Sequence, residues 1–172
     1  MSQFEISMDE LAEIVRKTPK GLSRTELAAR AKIGKEEKEH LERNIDTLLE
    51  QGRLYERRGR LHHSSELGVI PAKIVKVSST YGFAKKLEEE QEMFIPGRSL
   101  MGALPGDYVW IRPQQSRGEL PEGEVMAIIT KADFQFTGVF SNTAEGMMVL
   151  PDNVFKFPVR VMYGKDLGAK EG

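Results

Sequence analysis

No cysteine occurs in the 172 residues, so disulfides, thiolate zinc sites and cysteine nucleophiles are excluded and stability has to come from packing. Long apolar runs are missing too: none approaches the ~18 residues that a membrane-spanning helix needs, and no membrane partner is expected. Met1-Ser2-Gln3-Phe4-Glu5 carries neither the basic nor the apolar region of a secretory signal, so the expected location is the cytoplasm. Paired carboxylates, a nucleophile triad and a glycine-rich phosphate loop are also lacking, which leaves a self-contained enzyme without support.

What the chain does have is 40% apolar residues, enough to fill real cores, and a formal net charge of -1 that conceals a strong segregation. Residues 1–51 hold nine Lys or Arg against eleven Asp or Glu. Residues 52–86 reverse the balance: Arg53, Arg57, Arg58, Arg60, Lys73, Lys76, Lys85 and Lys86 face only Glu56 and Glu66, a net of +6. Residues 87–172 return to -5, with eight basic and thirteen acidic side chains. A cationic stripe of this kind attracts phosphates by charge without reading sequence.

The first third is helical by period. Ser7 with Glu10, and Ser23 with Glu26, have the spacing of capping boxes, and each precedes an apolar set: Met8, Leu11, Ala12 and Val15, then Leu27, Ala28 and Ala31. Leu41, Ile45, Leu48 and Leu49 predict a third helix over residues 35–51, ended by Gly52. The period then changes, and residues 53–62 predict two short strands around an Arg-Gly turn. Three helices and a basic hairpin make a winged helix, assigned to residues 1–66. Beyond it five short strands are expected, around Ile70-Val75, Tyr81-Ala84, Met93-Ile95, Tyr108-Ile111 and Glu124-Ile129, separated by turn-forming segments. Five strands in about 60 residues suit a small closed oligonucleotide-binding (OB) barrel, assigned to residues 67–131. The fold class is α+β.

An imperfect internal echo follows. Gly82-Phe83-Ala84, Met93-Phe94-Ile95-Pro96 and residues 100–107 recur as Gly146-Met147-Met148, Val159-Arg160-Val161-Met162 and residues 167–172. A second barrel is expected over residues 132–172, truncated before its fourth strand, which would leave an unpaired sheet edge.

The ordered set of residues 54–62, Tyr81-Gly82-Phe83, Met93-Phe94-Ile95-Pro96, Met101-Gly102-Ala103-Leu104-Pro105-Gly106-Asp107-Tyr108-Val109, Gly123-Glu124-Val125 and Thr137-Gly138-Val139-Phe140 resembles the N-terminal region of ribonuclease R and its ribonuclease II relatives. The resemblance spans nearly the whole chain. It implies a winged helix before two cold-shock-like barrels, followed in the family by a catalytic domain and a further RNA-binding barrel. The family enzymes are processive 3′-to-5′ exoribonucleases whose clustered aspartates hold divalent metal, magnesium, in that catalytic domain. No such cluster is found here: Asp107, Asp133, Asp152 and Asp166 stand singly in turn-like stretches, where turn and capping duties explain them. No cofactor is therefore expected in this segment. His40, His62 and His63 lack a second partner for metal or general-base work.

Single-stranded RNA needs cations along its phosphates and aromatic faces for its unstacked bases. Tyr81, Phe83 and Phe94 are the stacking candidates, at positions that resemble the aromatic strand positions of cold-shock domains, although strand alternation leaves each of them open to a core role instead. Ala84 and Met93 depart from the fuller cold-shock pattern. Lys73, Lys76, Lys85, Lys86, Arg98 and Arg112 are the candidate phosphate track, and Trp110 is expected to be buried in the fourth barrel strand. On the wing, Arg53, Arg57, Arg58 and Arg60 are candidates to grip phosphates of a duplex or an incoming strand. The third helix, with Glu36, Glu37, Glu39 and Glu42 beside Lys35, Lys38 and Arg43, is poorly suited to a DNA major groove. The first reading is an RNA-binding module that feeds a downstream nuclease domain. The alternative is a DNA-binding winged-helix regulator with a β-rich effector or oligomerisation domain.

Overall fold

The first two helices start where a serine can satisfy otherwise orphaned backbone donors. In the computed structural model, which describes residues 6–133, 135–152, 158–162, 164, 165 and 167–171, Ser7 and Ser23 each accept the N–H three residues on. Glu10 and Glu26 in turn accept the serine N–H, and the four bonds span 2.8 to 3.2 Å. Helices α1 (Met8–Arg16) and α2 (Arg24–Arg30) follow, and a 3₁₀ turn at Lys35–Glu37 leads into α3 (Lys38–Glu50). Their apolar stripes converge on one core of Leu11, Val15, Leu27, Leu41, Ile45 and Leu48, closed by Leu22, Leu54 and Leu61. No helix among the described residues is long and apolar enough to cross a membrane.

Gly52 ends α3 in the left-handed region (φ +73°), and a Cβ there would lie 2.7 Å from the indole nitrogen of Trp110. Glycine is required twice over, by backbone conformation and by close approach. The hairpin β1 (Leu54–Arg57) and β2 (Arg60–His63) then turns through Arg58 and Gly59, both at positive φ, the geometry that matches the twist of the strands it joins. Leu22 and Leu61 exchange backbone hydrogen bonds of 3.0 and 2.7 Å, which attaches the α1–α2 link to the hairpin edge.

Five strands form a closed barrel: β3 (Ile70–Val77), β4 (Tyr81–Lys86), β5 (Glu92–Pro96), β6 (Tyr108–Gln114) and β7 (Glu122–Thr130), in the order β3-β4-β5-β7-β6 with β6 returning to β3. The one parallel contact pairs Phe94 of β5 with Glu122 of β7. Alternation sends Ala72, Ile74, Ala84, Met93, Ile95, Val109, Ile111 and Val125 inward to a second core. Ala84 and Met93, the departures from the cold-shock pattern, are thus interior residues. Beyond the barrel β8 (Gly138–Thr143), β9 (Gly146–Pro151) and β10 (Val159–Arg160) pair antiparallel in the order β10-β9-β8. Only Pro151 is buried among the described residues after Thr130, and Val139 and Leu150 are 45% and 54% exposed.

The helical unit and the barrel are joined by polar contacts at the end of α3, where helix carbonyls ordinarily lack partners. Trp110 Nε1–H donates to the Gly52 carbonyl at 2.7 Å and the Thr130 hydroxyl to the Glu50 carbonyl at 2.6 Å. Beside them the buried Arg53 donates to Asp9 (2.6 Å) and to Glu88 (3.1 Å), while His63 Nε2 lies 2.9 Å from the same Glu88 carboxylate. Partial burial pushes the Glu88 carboxyl upward, but the His63 and Arg53 bonds outweigh it and hold the group below the usual carboxylate range.

Replacing Arg53 with Met keeps the apolar stem but takes the guanidinium from Glu88 and Asp9 and leaves Glu88 with His63 alone, so a loss of about 1–3 kcal/mol is expected in denaturant unfolding at neutral pH. Because the folded Glu88 pKa is depressed, its contribution is complete above the unfolded-state carboxylate pKa of about 4.3 and disappears as pH falls through the lower folded value. Glu88→Gln is therefore expected to be less stable than the parent at neutral pH, with the gap closing in strong acid. A gap of constant size across that range would remove ionised Glu88 from the account.

Candidate nucleic-acid interface

The alternation that buries Gly82, Ala84, Met93 and Ile95 necessarily turns Tyr81, Phe83 and Phe94 outward. All three are half-buried on the outer face of β4 and β5, and none belongs to the barrel core. Phe83 and Phe94 are direct cross-strand partners. Their ring centroids lie 5.8 Å apart, edge to face, and Tyr81 sits 5.5 Å from Phe83 and 5.7 Å from Phe94, nearly parallel to the latter. Each ring is propped by the other two, so the cluster is a preformed apolar platform open to solvent on one side.

Cations adjoin it through the same register. Lys76 is the partner of Phe83 across β3 and β4, and Lys73 is the partner of Lys85. All three are exposed, and among the described residues no carboxylate comes within ion-pair distance of any of them. Two like charges directly opposite on a sheet are unfavourable. Lys73 gains one compensation, with its ammonium 5.6 Å from the centre of the Tyr108 ring.

Several expected contacts are placed elsewhere. Arg53 is buried, 6% exposed, in its bonds to Asp9 and Glu88 and serves the junction. Arg60 donates to the Lys20 and Gly21 carbonyls and to Glu26 at 2.8–3.1 Å, which fastens the hairpin to the start of α2. Lys86 folds back onto Glu89 (3.1 Å) and Gln91 (2.9 Å). Arg112 pairs with Glu124 at 3.0 Å on the exposed end of β6. Arg57 and Arg58 remain exposed at the hairpin tip, but the hairpin meets the barrel through its other end, where Tyr55 packs edge-on against Trp110 of β6 and His63 bonds Glu88 in the β4–β5 loop. Trp110 is half-buried against the helical unit instead of filling the barrel, because its N–H reaches Gly52.

The sequence reading passed over the loop at residues 115–121. It closes on itself as the Ser116 hydroxyl donates to the Gly118 and Leu120 carbonyls, and Phe94 N–H donates to the Pro121 carbonyl at 2.9 Å. These bonds seat Arg117 and Leu120 beside Phe83 and Phe94 in a shallow cavity. Arg98 lines a neighbouring polar cavity that also takes in Arg117, Gln115 and Glu122. The signal for this loop lay in the barrel topology, since loops joining the last two strands flank the outer face of strands two and three in such barrels.

Among the described residues no group of three or more His, Asp or Glu is placed to hold a metal ion. Asp107 is buried and accepts the N–H groups of Leu104 and Ala132, both at 2.9 Å, and Asp152 accepts the Thr137 hydroxyl, while Asp166 lies outside the described residues. His62 stacks on Tyr55 and bonds Glu66.

Comparison with known families is decisive for the barrel. Residues 73–128 match the family described as the Ribonuclease B OB domain. Over those residues the barrel is similar to that family's domain. This OB domain is what the motif resemblance to the N-terminal region of ribonuclease R and ribonuclease II relatives implied. Among solved structures, the chain has a likeness to Mycoplasma genitalium RNase R in complex with ribose methylated single-stranded RNA, at 20% identity and a TM-score of 0.40. The likeness covers 49% of this chain and 14% of that one, so this chain spans a small part of that protein's length. Comparison with curated proteins gives no match.

Because the three rings of the OB domain lie outside its core, Phe94→Ala is expected to cost at most about 1.5 kcal/mol, the worth of an aromatic contact. Ile95→Ala, one residue along and fully buried, is expected to cost about 2–5 kcal/mol. Chemical denaturation of both variants measures the contrast, and equal losses would place Phe94 in the core.

Proposed function

We propose that this chain is the RNA-binding N-terminal segment of a ribonuclease R-like 3′-to-5′ exoribonuclease, guiding single-stranded RNA toward a metal-dependent catalytic domain that is not part of it. The observation that carries this reading is the aromatic platform of Tyr81, Phe83 and Phe94, flanked by the unneutralised Lys73, Lys76 and Lys85, on the β4–β5 face of a ribonuclease B OB domain. Stacking contributes about 1–3 kcal/mol per base and is indifferent to sequence, so two bases on this platform outweigh the screened phosphate contacts. The lysines orient the backbone and set the salt dependence.

In this reading residues 1–66 form a winged helix, 67–131 the OB domain and 132–172 part of a second cold-shock-like barrel. Support for the last comes from pairing: β9 lies between β8 and β10 as β4 lies between β3 and β5, and the motifs that echo one another begin β9 and lie in β4. Residues 134, 153–157, 163, 166 and 172 of that unit lie outside the described residues. The wing contributes Arg57 and Arg58 to a duplex or an incoming strand. The alternative, a DNA-binding regulator, draws no support from α3, which follows the exposed Glu36, carries the exposed Glu39 and has its Glu42 and Asp46 engaged by Arg24.

Fluorescence anisotropy with labelled single-stranded RNA tests the proposal. Three neutralised phosphates give a slope near -2 in log affinity against log salt, a loss of roughly tenfold to twentyfold between about 50 and 200 mM. Lys73→Ala, Lys76→Ala and Lys85→Ala combined should flatten that slope, and Phe83→Ala with Phe94→Ala should weaken binding at every salt concentration by on the order of a hundredfold. Binding that ignores both the lysines and salt, or tighter retention of duplex DNA than of single-stranded RNA, would overturn the reading.

A further inference from the structure

The cavity beside the aromatic platform has one wall of different chemistry. Phe83 and Phe94 form its floor and Leu120, 40% exposed, its apolar lip. Glu122 completes it: as the parallel partner of Phe94, it projects on the same outer face, and its only bond among the described residues is a long 3.4 Å contact accepted from Arg117 N–H. Two other carboxylates are near: Glu124 is occupied by Arg112 and Gln114, both at 3.0 Å, and Glu119 lines the cavity from the loop, whereas Glu122 is fixed by strand register directly beside Phe94. The loop that brings Leu120 and Arg117 is tied by its own Ser116 bonds and by Phe94 N–H, and the slot exists before any ligand enters.

We propose that this slot selects the base it stacks, favouring cytosine and adenine over uracil, with Glu122 as the specificity-determining residue. The inference rests on the RNA-binding reading of the same platform and deepens it. A base lying on Phe94 turns its edge toward the Glu122 carboxylate. Cytosine N4 and adenine N6 present N–H donors there, which a carboxylate accepts. Uracil presents its O4 carbonyl at the same position, an acceptor facing an anion, and only its single N3–H, set back beside O4, can donate. The approach of O4 to the carboxylate is repulsive, so uracil stacks there without the bond that cytosine or adenine gains. Arg117, exposed at the loop, is placed to meet the phosphate that accompanies the base.

The test compares oligo(C), oligo(A) and oligo(U) of equal length on the full chain, with the parent, Glu122→Gln and Glu122→Ala. The parent is expected to bind oligo(C) and oligo(A) on the order of three- to tenfold more tightly than oligo(U). Glu122→Gln, whose amide can donate to uracil O4 while still accepting Arg117 N–H, is expected to gain oligo(U) affinity and erase the preference. Glu122→Ala is expected to lose the preference by weakening oligo(C) and oligo(A). Thermal melts of the three proteins establish that the barrel is intact. Equal affinity of the parent for all three oligomers, or a preference unchanged in both variants, would overturn the selection while leaving RNA binding in place. Failure of every oligomer to bind the parent would overturn the RNA-binding reading and this inference with it.

Discussion

The aromatic platform depends on the register of β4 against β5. Side chains on paired strands alternate strictly between faces, and a shift of one residue would exchange them. With Ala84 opposite Met93 and Gly82 opposite Ile95, small and large apolar groups fill the interior, and Phe83 and Phe94 meet on the outside. The core therefore fixes the platform: any pairing that buried the rings would expose Ile95 and Met93 and open the barrel centre. Charge follows the same rule, because Lys85 continues the outward series of β4 and Lys76 is set against Phe83 by the irregular step in β3 between Ile74 and Lys76.

Much of this was legible in the residues, wherever a local rule decided the outcome. The two serine capping boxes, the stop at Gly52 and the Arg58-Gly59 turn each follow from chemistry within four residues of sequence, and all stand as expected. The five barrel strands were equally visible, because alternating apolar residues punctuated by glycine and proline have few other readings. The closed five-strand barrel and the three helices match that expectation, and the family of the barrel agrees with the motif resemblance.

What could not be read were the contacts between residues distant in sequence. Arg53, Arg57, Arg58 and Arg60 look alike in a charge count, yet Arg53 finds partners 44 and 35 positions away and Arg60 finds Glu26 34 positions away. Of the four, only the two at the tip hold no ion pair among the described residues. Trp110 posed the same difficulty: an aromatic on a predicted strand reads as core until the position of the Gly52 carbonyl is known. Arg117 and Glu122, in and beside a polar loop, gained significance only when strand order brought that loop against Phe83 and Phe94.

The end of α3 holds one more implication. Trp110 and Thr130, on two different barrel strands, supply donors to helix-end carbonyls that a helix normally caps with its own neighbours or with water. The helical unit is thus capped in trans by the barrel, and Gly52 has no side chain to hold the two apart. A displacement of the barrel at Trp110 or Thr130 is therefore felt directly by the last turn of α3, through short hydrogen bonds that leave no slack between them.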